Sequence, residues 1–230
     1  MEIIEQKISW VVLVRHNQIP LQALANQKNM NVFVAKYGFV SGDRIQDSAS
    51  QLIKAIAFST GLFRSNEIDH VVERITIEER RMVFTIVGTS YDASLFYEEI
   101  KHYLLDLQTN KDPSMLEQIL VSQESEILFK AKYHSNRLIS PKMGSLVKKV
   151  TASSTSEYAK ASIGCITTNF AIEFMPSDEV LSQYRISLSR KVFTLGNAIG
   201  YPLSEQVYAS KAPLPSDVHA VLLESFEEQF

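Results

Sequence analysis

The chain has 230 residues, of which 45% are hydrophobic and 21% charged, and its formal net charge is −3. At roughly 100–200 residues per domain this is one large domain or two small ones, and the composition excludes wholesale disorder and, with 8 glycines and 7 prolines, long low-complexity linkers. The single cysteine, Cys165, excludes an intramolecular disulfide and a multi-cysteine zinc site, and the mild acidity argues against strong overall affinity for nucleic acid.

The N-terminal segment MEIIEQKISWVVLV begins with two acids, and its apolar run, Trp10–Val14, is too short for a signal peptide. No window approaches the ~18–20 apolar residues of a membrane helix. One unpaired thiol suits a reducing compartment. The expectation is a cytoplasmic protein without a membrane span.

Trp10–Val14 reads as a buried strand that ends at Arg15-His16-Asn17. The Gln/Asn-rich stretch 19–30 has no clear periodicity. Val32–Tyr37 reads as a second strand. Ser48-Ala-Ser-Gln51 has the form of a capping box, and Leu52, Ile53, Ile56 and Ala57 behind it share one helical face. Val71–Ile77 and Met82–Val87 flank the charged turn Glu78-Glu79-Arg80-Arg81 and predict a hairpin. Asp92 can cap a following helix in which Phe96, Ile100, Tyr103, Leu104 and Leu107 share a face.

Asp112-Pro113 is both a helix start and a linker signal. Beyond it, Ile119–Val121 is a short strand candidate and Ile127–Tyr133 alternates as a half-buried strand. Ser140-Pro141 opens a helix with Leu146, Val147 and Val150. Two strands are expected at Ser162–Thr168 and Phe170–Met175, and Ser177 can cap a helix carrying Leu181, Tyr184, Leu188, Val192 and Leu195. Pro202, Pro213 and Pro215 punctuate a connection to a terminal helix capped by Ser216, with Val218, Val221, Leu222 and Phe226 on one side.

The two halves share letters as well as order. Phe33-Val-Ala-Lys-Tyr37 matches Phe129-Lys-Ala-Lys-Tyr133, and Leu52-Ile-Lys-Ala-Ile56 matches Leu146-Val-Lys-Lys-Val150. The expectation is an α+β or α/β fold, a tandem duplication of a strand–strand–helix–strand–strand–helix unit. The units span 1–112 and 113–200, with a C-terminal connection and helix over 201–230.

Chemistry-bearing motifs are scarce. Neither a phosphate-cradling G-x-x-x-x-G-K-[ST] nor G-x-G-x-x-G occurs, the nucleophile elbow G-x-S-x-G is missing, and the five histidines are scattered singly. None of their triplets supplies the H-x-[ST] of the 2H phosphoesterases. Cys165, inside Ile163-Gly-Cys-Ile-Thr-Thr, reads as a buried strand residue. No metal site and no cofactor are expected.

Two polar groupings remain. Arg15 and His16 follow the first strand, and His134 and Arg137 follow the corresponding strand of the second half, at strand ends where α/β folds place sites. Such ends also simply turn into solvent. Charge is uneven: residues 1–127 carry −5 and residues 128–230 carry +2. Between 128 and 156, Lys130, Lys132, Arg137, Lys142, Lys148 and Lys149 stand without an acid. This stretch reads as a solvated face, a surface for an acidic protein partner, or a weak nucleic-acid or anionic-surface binder. Phe129 and Tyr133 alternate with the lysines and fall on the opposite strand face, which disfavours a base-stacking platform.

The run Val71–Leu107, with Met82-Val-Phe-Thr-Ile-Val-Gly before Leu95-Phe-Tyr-Glu-Glu-Ile-Lys101, resembles the end of a longin domain, a fold related to roadblock domains. That resemblance, one of element order, implies a platform for small GTPases, trafficking or assembly partners. The functional expectation is a non-catalytic interaction or assembly module, an adaptor or scaffold subunit with a protein partner or a homo-oligomer. The terminal-helix residues Val218, Val221, Leu222 and Phe226 are the candidate interface. A small-molecule or phosphoester enzyme using His16 and His134, with Arg15 and Arg137, is the alternative.

Overall fold

The computed structural model describes residues 1–14, 19–47, 52–108, 116, 118–131, 168–172 and 191–228. They form a mixed α+β structure around one antiparallel sheet. The chain runs β1 (Glu2–Val14), α1 (Leu21–Leu24), α2 (Gln27–Tyr37), β2 (Ser41–Gln46), β3 (Ile53–Ser65), β4 (Ile68–Glu78), β5 (Arg81–Val87), α3 (Ser90–Asp106), β6 (Gln118–Lys130), β7 (Thr168–Ile172), β8 (Lys191–Asn197), β9 (Val207–Ala212) and α4 (Ser216–Glu228). Nine described strands are ordered β2-β3-β4-β5-β1-β6-β9-β8-β7. The seam between the halves is the antiparallel pair β1–β6, which runs from Glu2 opposite Lys130 to Val14 opposite Gln118.

The expected hairpin is present: β4 and β5 pair antiparallel, with Ile77 opposite Met82. A second tight hairpin joins β3 to β4 through Asn66 and Glu67, whose φ values of 49° and 66° are the left-handed pair a two-residue loop needs. Glycine is usual at the second of these positions, so Glu67 hid the turn. The helix over 90–106 also forms, with Ala93, Phe96, Tyr97, Ile100 and Leu104 buried. Its cap is Thr89 rather than Asp92. Asp92 stands three residues on and closes a capping box by accepting the Thr89 backbone N–H at 2.8 Å.

Several expected elements differ. Val32–Tyr37 is the C-terminal half of helix α2, not a strand. Asn26 caps its start by accepting Lys28 N–H at 3.0 Å, and Gly38 ends it in the left-handed conformation at φ 60°. Met30, Phe33 and Tyr37 face the core at helical spacing, a stripe that the β-branched letters between them disguise. Leu52–Ala57 is not a helix. From Ile53 the chain is strand β3, in which Ile56, Phe58 and Phe63 are buried beside helices α1 and α2. The short candidate at 119–121 and residues 127–130 of the second are one strand, β6, joined through polar Ser122–Glu126 because β1 pairs along its whole length; Lys132 and Tyr133 lie outside the described residues. Asn169 lies inside β7, and Val192 and Leu195 lie in β8 rather than in a helix. The connection expected before the last helix contains β9, which inserts between β6 and β8.

The five-letter match between the halves therefore joins a helix to a strand: Phe33 is in α2 and Phe129 in β6. The first half runs strand, two helices, four strands, helix, which replaces the expected strand–strand–helix–strand–strand–helix unit and the longin-like opening. The Ser48 capping box, Asp112-Pro113, the Ser140-Pro141 helix with Leu146–Val150, Ser162–Thr167, Glu173–Met175, the Ser177 cap and Cys165 lie outside the described residues.

The helices α1–α3 cover one face of strands β1–β5. The core between them is strongly aromatic: Phe33 packs on Phe58 at 4.6 Å, Tyr37 at 5.0 Å and Tyr103 at 5.1 Å between ring centroids, and Phe96 meets Phe63 and Phe84 edge-on. A smaller cluster under α4 contains Ile127, Phe129, Phe193, Leu195, Tyr208 and Leu223. The helices α3 and α4 begin side by side. Ser216 Oγ accepts the Ser90 backbone N–H at 2.9 Å, and Ser90 Oγ accepts the Ser216 backbone N–H at 2.8 Å.

Candidate binding surface

Alternation along a strand sends successive side chains to opposite faces. With Ile8, Trp10, Val12, Ile56, Phe58, Ile75, Ile77, Met82, Phe84 and Ile86 turned toward the helices and buried, their neighbours form the other face. Register aligns these in rows. Ser41, Ser59, Arg74, Thr85 and Ser9 make one row across β2, β3, β4, β5 and β1. Asp43, Ala57, Thr76, Val83 and Val11 make the next. Ile45, Ala55 and Glu78 begin a third.

This face is built of small and hydroxyl side chains in its middle and charges at its rim. Hydroxyl pairs bridge strands, Ser41 Oγ with Ser59 Oγ at 2.8 Å and Ser9 Oγ with Thr85 Oγ1 at 2.9 Å. The rim charges are paired: Lys7 with Glu73 at 2.7 Å, Lys54 with Asp47 at 2.6 Å, and Arg81 with both oxygens of Glu78 at 2.5 and 3.1 Å. The hydrogen bond to Glu73 is the main cause that holds the Lys7 ammonium above its ordinary pKa. Arg74, in the hydroxyl row, has no partner among the described residues. A shallow concavity of about 700 Å³ opens here; Ile45, Ala55, Thr76 and Val83 line it together with the charged Lys54, Arg74, Glu78 and Arg81. Apolar side chains continue beside it, with Leu62 52% exposed directly opposite Val71 at 38%.

The sequence did not point to this face, because Thr76, Val83 and Thr85 look like ordinary strand residues until register places them in one surface. Of the expected site residues, Arg15, His16, Lys132, His134, Arg137, Lys142, Lys148 and Lys149 lie outside the described residues. Lys130 is the exposed last residue of β6. On α4, Val218 and Val221 are exposed at 46% and 62%, and Leu222 is half-buried. Phe226 lies in the same helix. The inward positions of α4 are Ser216, His219 and Leu223, so the apolar stripe read from the sequence straddles the edge of the buried face.

Two histidines hold defined partners. His70 bonds the Val87 carbonyl through Nδ1 at 3.2 Å, and its Nε2 stands 3.5 Å from Asp92. His219 is fully buried between Ser125 and Ser210. No cluster of three or more potential metal ligands occurs among the described residues, and none of the described helices is long and apolar enough to cross a membrane.

No protein-family model, no curated protein and no solved structure matches this chain.

Proposed function

We propose that this chain is a non-catalytic assembly or adaptor subunit that docks a protein partner on the helix-free face of β1–β5. The observation that carries the reading is the make-up of that face. Small apolar and hydroxyl side chains make up most of its shallow centre, with Arg74 among them, and paired charges ring it. This is the pattern of a protein interface, whose core is poor in charge and whose rim is polar. Of the charged residues that line the concavity, Lys54, Glu78 and Arg81 are held in ion pairs. The lone cysteine fits a cytoplasmic setting for such a subunit.

Its test is site-specific photo-crosslinking in the native host. A crosslinker at Thr76 or Val83 captures a discrete partner, one at Asn31 on the helix side does not, and Val83→Arg abolishes capture while leaving the protein folded. Equal capture at Asn31, or turnover of a substrate unaffected by Val83→Arg, would sink the reading. The exposed Val218 and Val221 support a second contact, to another copy of the chain. Val218→Glu with Val221→Glu then lowers the solution mass at micromolar concentration.

A tandem duplication is part of the same proposal, with units different from those expected from the letters. The supporting equivalence relates β1, β4, β5 and α3 to β6, β8, β9 and α4. It pairs Ile8, Trp10, Val12 and Val14 with Ser125, Ile127, Phe129 and Ala131, all buried. It pairs Met82, Phe84 and Ile86 with Tyr208, Ser210 and Ala212, and Ser90, Ala93 and Tyr97 with Ser216, His219 and Leu223. Ile8 sits opposite Ser125 across the seam, where a twofold axis relating the units would pass. On this reading the second unit extends through α4 to the end of the chain.

A further inference from the structure

The most unusual buried group outside the candidate surface is His219. Its ring lies under α4 with no exposed surface, and so do Ser125 of β6 and Ser210 of β9. Ser210 Oγ donates to the Thr194 carbonyl at 2.7 Å, so its lone pair receives the His219 Nε2–H at 2.9 Å. That leaves Nδ1 as an acceptor, which Ser125 Oγ–H fills at 2.7 Å. Each hydroxyl and ring N–H donates once and the free ring nitrogen accepts once, with a neutral ring. The Phe193 ring of β8 closes the site edge-on at 6.0 Å.

No described carboxylate faces this ring. Glu124 and Glu126 of β6 and Lys211 of β9 project from the opposite side of the sheet, where Lys211 and Glu126 pair at 2.7 Å. On α4 itself, Asp217 and Glu224 flank the inward positions, and Glu227 is engaged by the N-terminal ammonium of Met1 at 2.6 Å. A proton arriving on Nδ1 displaces the Ser125 hydroxyl hydrogen toward its other acceptor, the Ala212 carbonyl, which stands 3.5 Å away. The result is a buried imidazolium surrounded by hydroxyls, an aromatic ring and hydrocarbon, which desolvation penalises.

We propose that the Ser125–His219–Ser210 group is an acid-sensitive latch: protonation of His219 frees α4 from the sheet and uncovers the small core of Phe193, Tyr208 and Leu223. The first unit, whose core contains no histidine among the described residues, keeps its helices. The direction follows from linkage. Burial holds the His219 pKa down to about 4, against 6.5 for an ordinary histidine. The docking strength of α4 is therefore whole above pH 6.5 and falls as pH drops toward 4. At pH 5 the loss is about thirtyfold in the docking equilibrium. Carboxylates of ordinary pKa, about 4.3 for Glu, remain mostly charged there.

Hydrogen exchange of the full chain, measured by mass spectrometry at pH 7.5 and pH 5.0 and corrected for intrinsic exchange rates, tests this. Protection of the amides in 219–228 falls about thirtyfold at pH 5.0, while protection in α3 holds. His219→Gln, which keeps one donor and one acceptor but does not titrate, removes the pH dependence. The triple change Ser125→Ala, Ser210→Ala, His219→Leu removes it through an apolar replacement, so the test survives if the glutamine fails to fold. Equal loss of protection in α3 and α4, or a pH dependence that persists in a folded variant, overturns the latch.

Discussion

The reciprocal bonds between Ser90 and Ser216 make a quantitative prediction about how the two halves are coupled. Each serine stands at the start of its own helix, where backbone N–H groups lack an intrahelical partner. Each hydroxyl accepts the N–H of the other helix, at 2.8 and 2.9 Å, across 126 positions of chain. Ser90 Oγ also donates to Gln123 Oε1 at 3.3 Å, the atom that receives the Trp10 indole N–H at 3.2 Å. Ser90→Ala removes two bonds and orphans the Ser216 N–H. At about 1 kcal/mol for a net hydrogen bond, and more for an orphaned buried donor, the cost is about 1.5–2 kcal/mol. Ser216→Ala removes one bond, orphans the Ser90 N–H and costs about 1–1.5 kcal/mol. Losing either bond lets the two helix starts separate and weakens the other. The double variant therefore costs less than the sum, by about 0.5 kcal/mol. Trp10, the only tryptophan, reports the seam directly. Urea unfolding followed by its emission, for the wild type, both singles and the double, gives the cycle. Single variants within about 0.3 kcal/mol of wild type, below the usual capping range, would refute the idea that these serines hold the halves together.

Phe33→Ala empties the centre of the aromatic cluster, where the ring meets Tyr37, Phe39, Phe58 and Tyr103; a loss of about 3–5 kcal/mol is expected in denaturant unfolding. Gly61→Ala places a methyl 2.5 Å from the Phe39 ring and 2.9 Å from the Tyr37 carbonyl, and overpacking of that kind costs about 1–3 kcal/mol, measurable as a lower thermal midpoint. Thr89→Ala breaks the α3 capping box and costs about 1 kcal/mol by the same measurement. Arg74→Gln leaves the unfolding midpoint within about 0.5 kcal/mol, since no described contact is lost, and weakens partner capture through Thr76.

The elements that the sequence revealed are those whose local pattern and tertiary surroundings agree. The β4–β5 hairpin announces itself through a charged two-sided turn, and α3 through a long apolar stripe, although its cap was read as Asp92 rather than Thr89. Where local letters and packing diverge, the reading fails. Val32, Phe33 and Val34 favour a strand, yet Asn26 and Gly38 bracket a helix whose buried face is Met30, Phe33 and Tyr37. Both brackets were in the sequence, and weighing caps above β-branched letters would have found α2. Ser122–Glu126 could not be joined into one strand from its own letters, because their place in β6 is imposed by β1 across the seam. The candidate surface is a product of register, and register is a property of pairs of strands. His219 shows the same limit: in the sequence it is one of five singly scattered histidines, and only the approach of β6 and β9 makes it a buried one.

The β1–β6 pairing has a consequence for how the chain is made. On a ribosome, residues 2–14 are made before residues 81–87 and find β5 once those follow, so the first sheet can assemble early. The far side of β1 must then wait until residues 118–130 have been synthesised. During that interval β1 is a long unpaired edge, with Ile3 and Ile4 beside open backbone donors and acceptors. Such edges recruit strands from other molecules. Nascent chains stalled before residue 118 should thus be aggregation-prone and depend on chaperones, and so should chains released between 130 and 207, whose open edge is β6, whereas chains released past residue 212 should be less so. The seam that unites the finished molecule is its point of greatest exposure while it is being born.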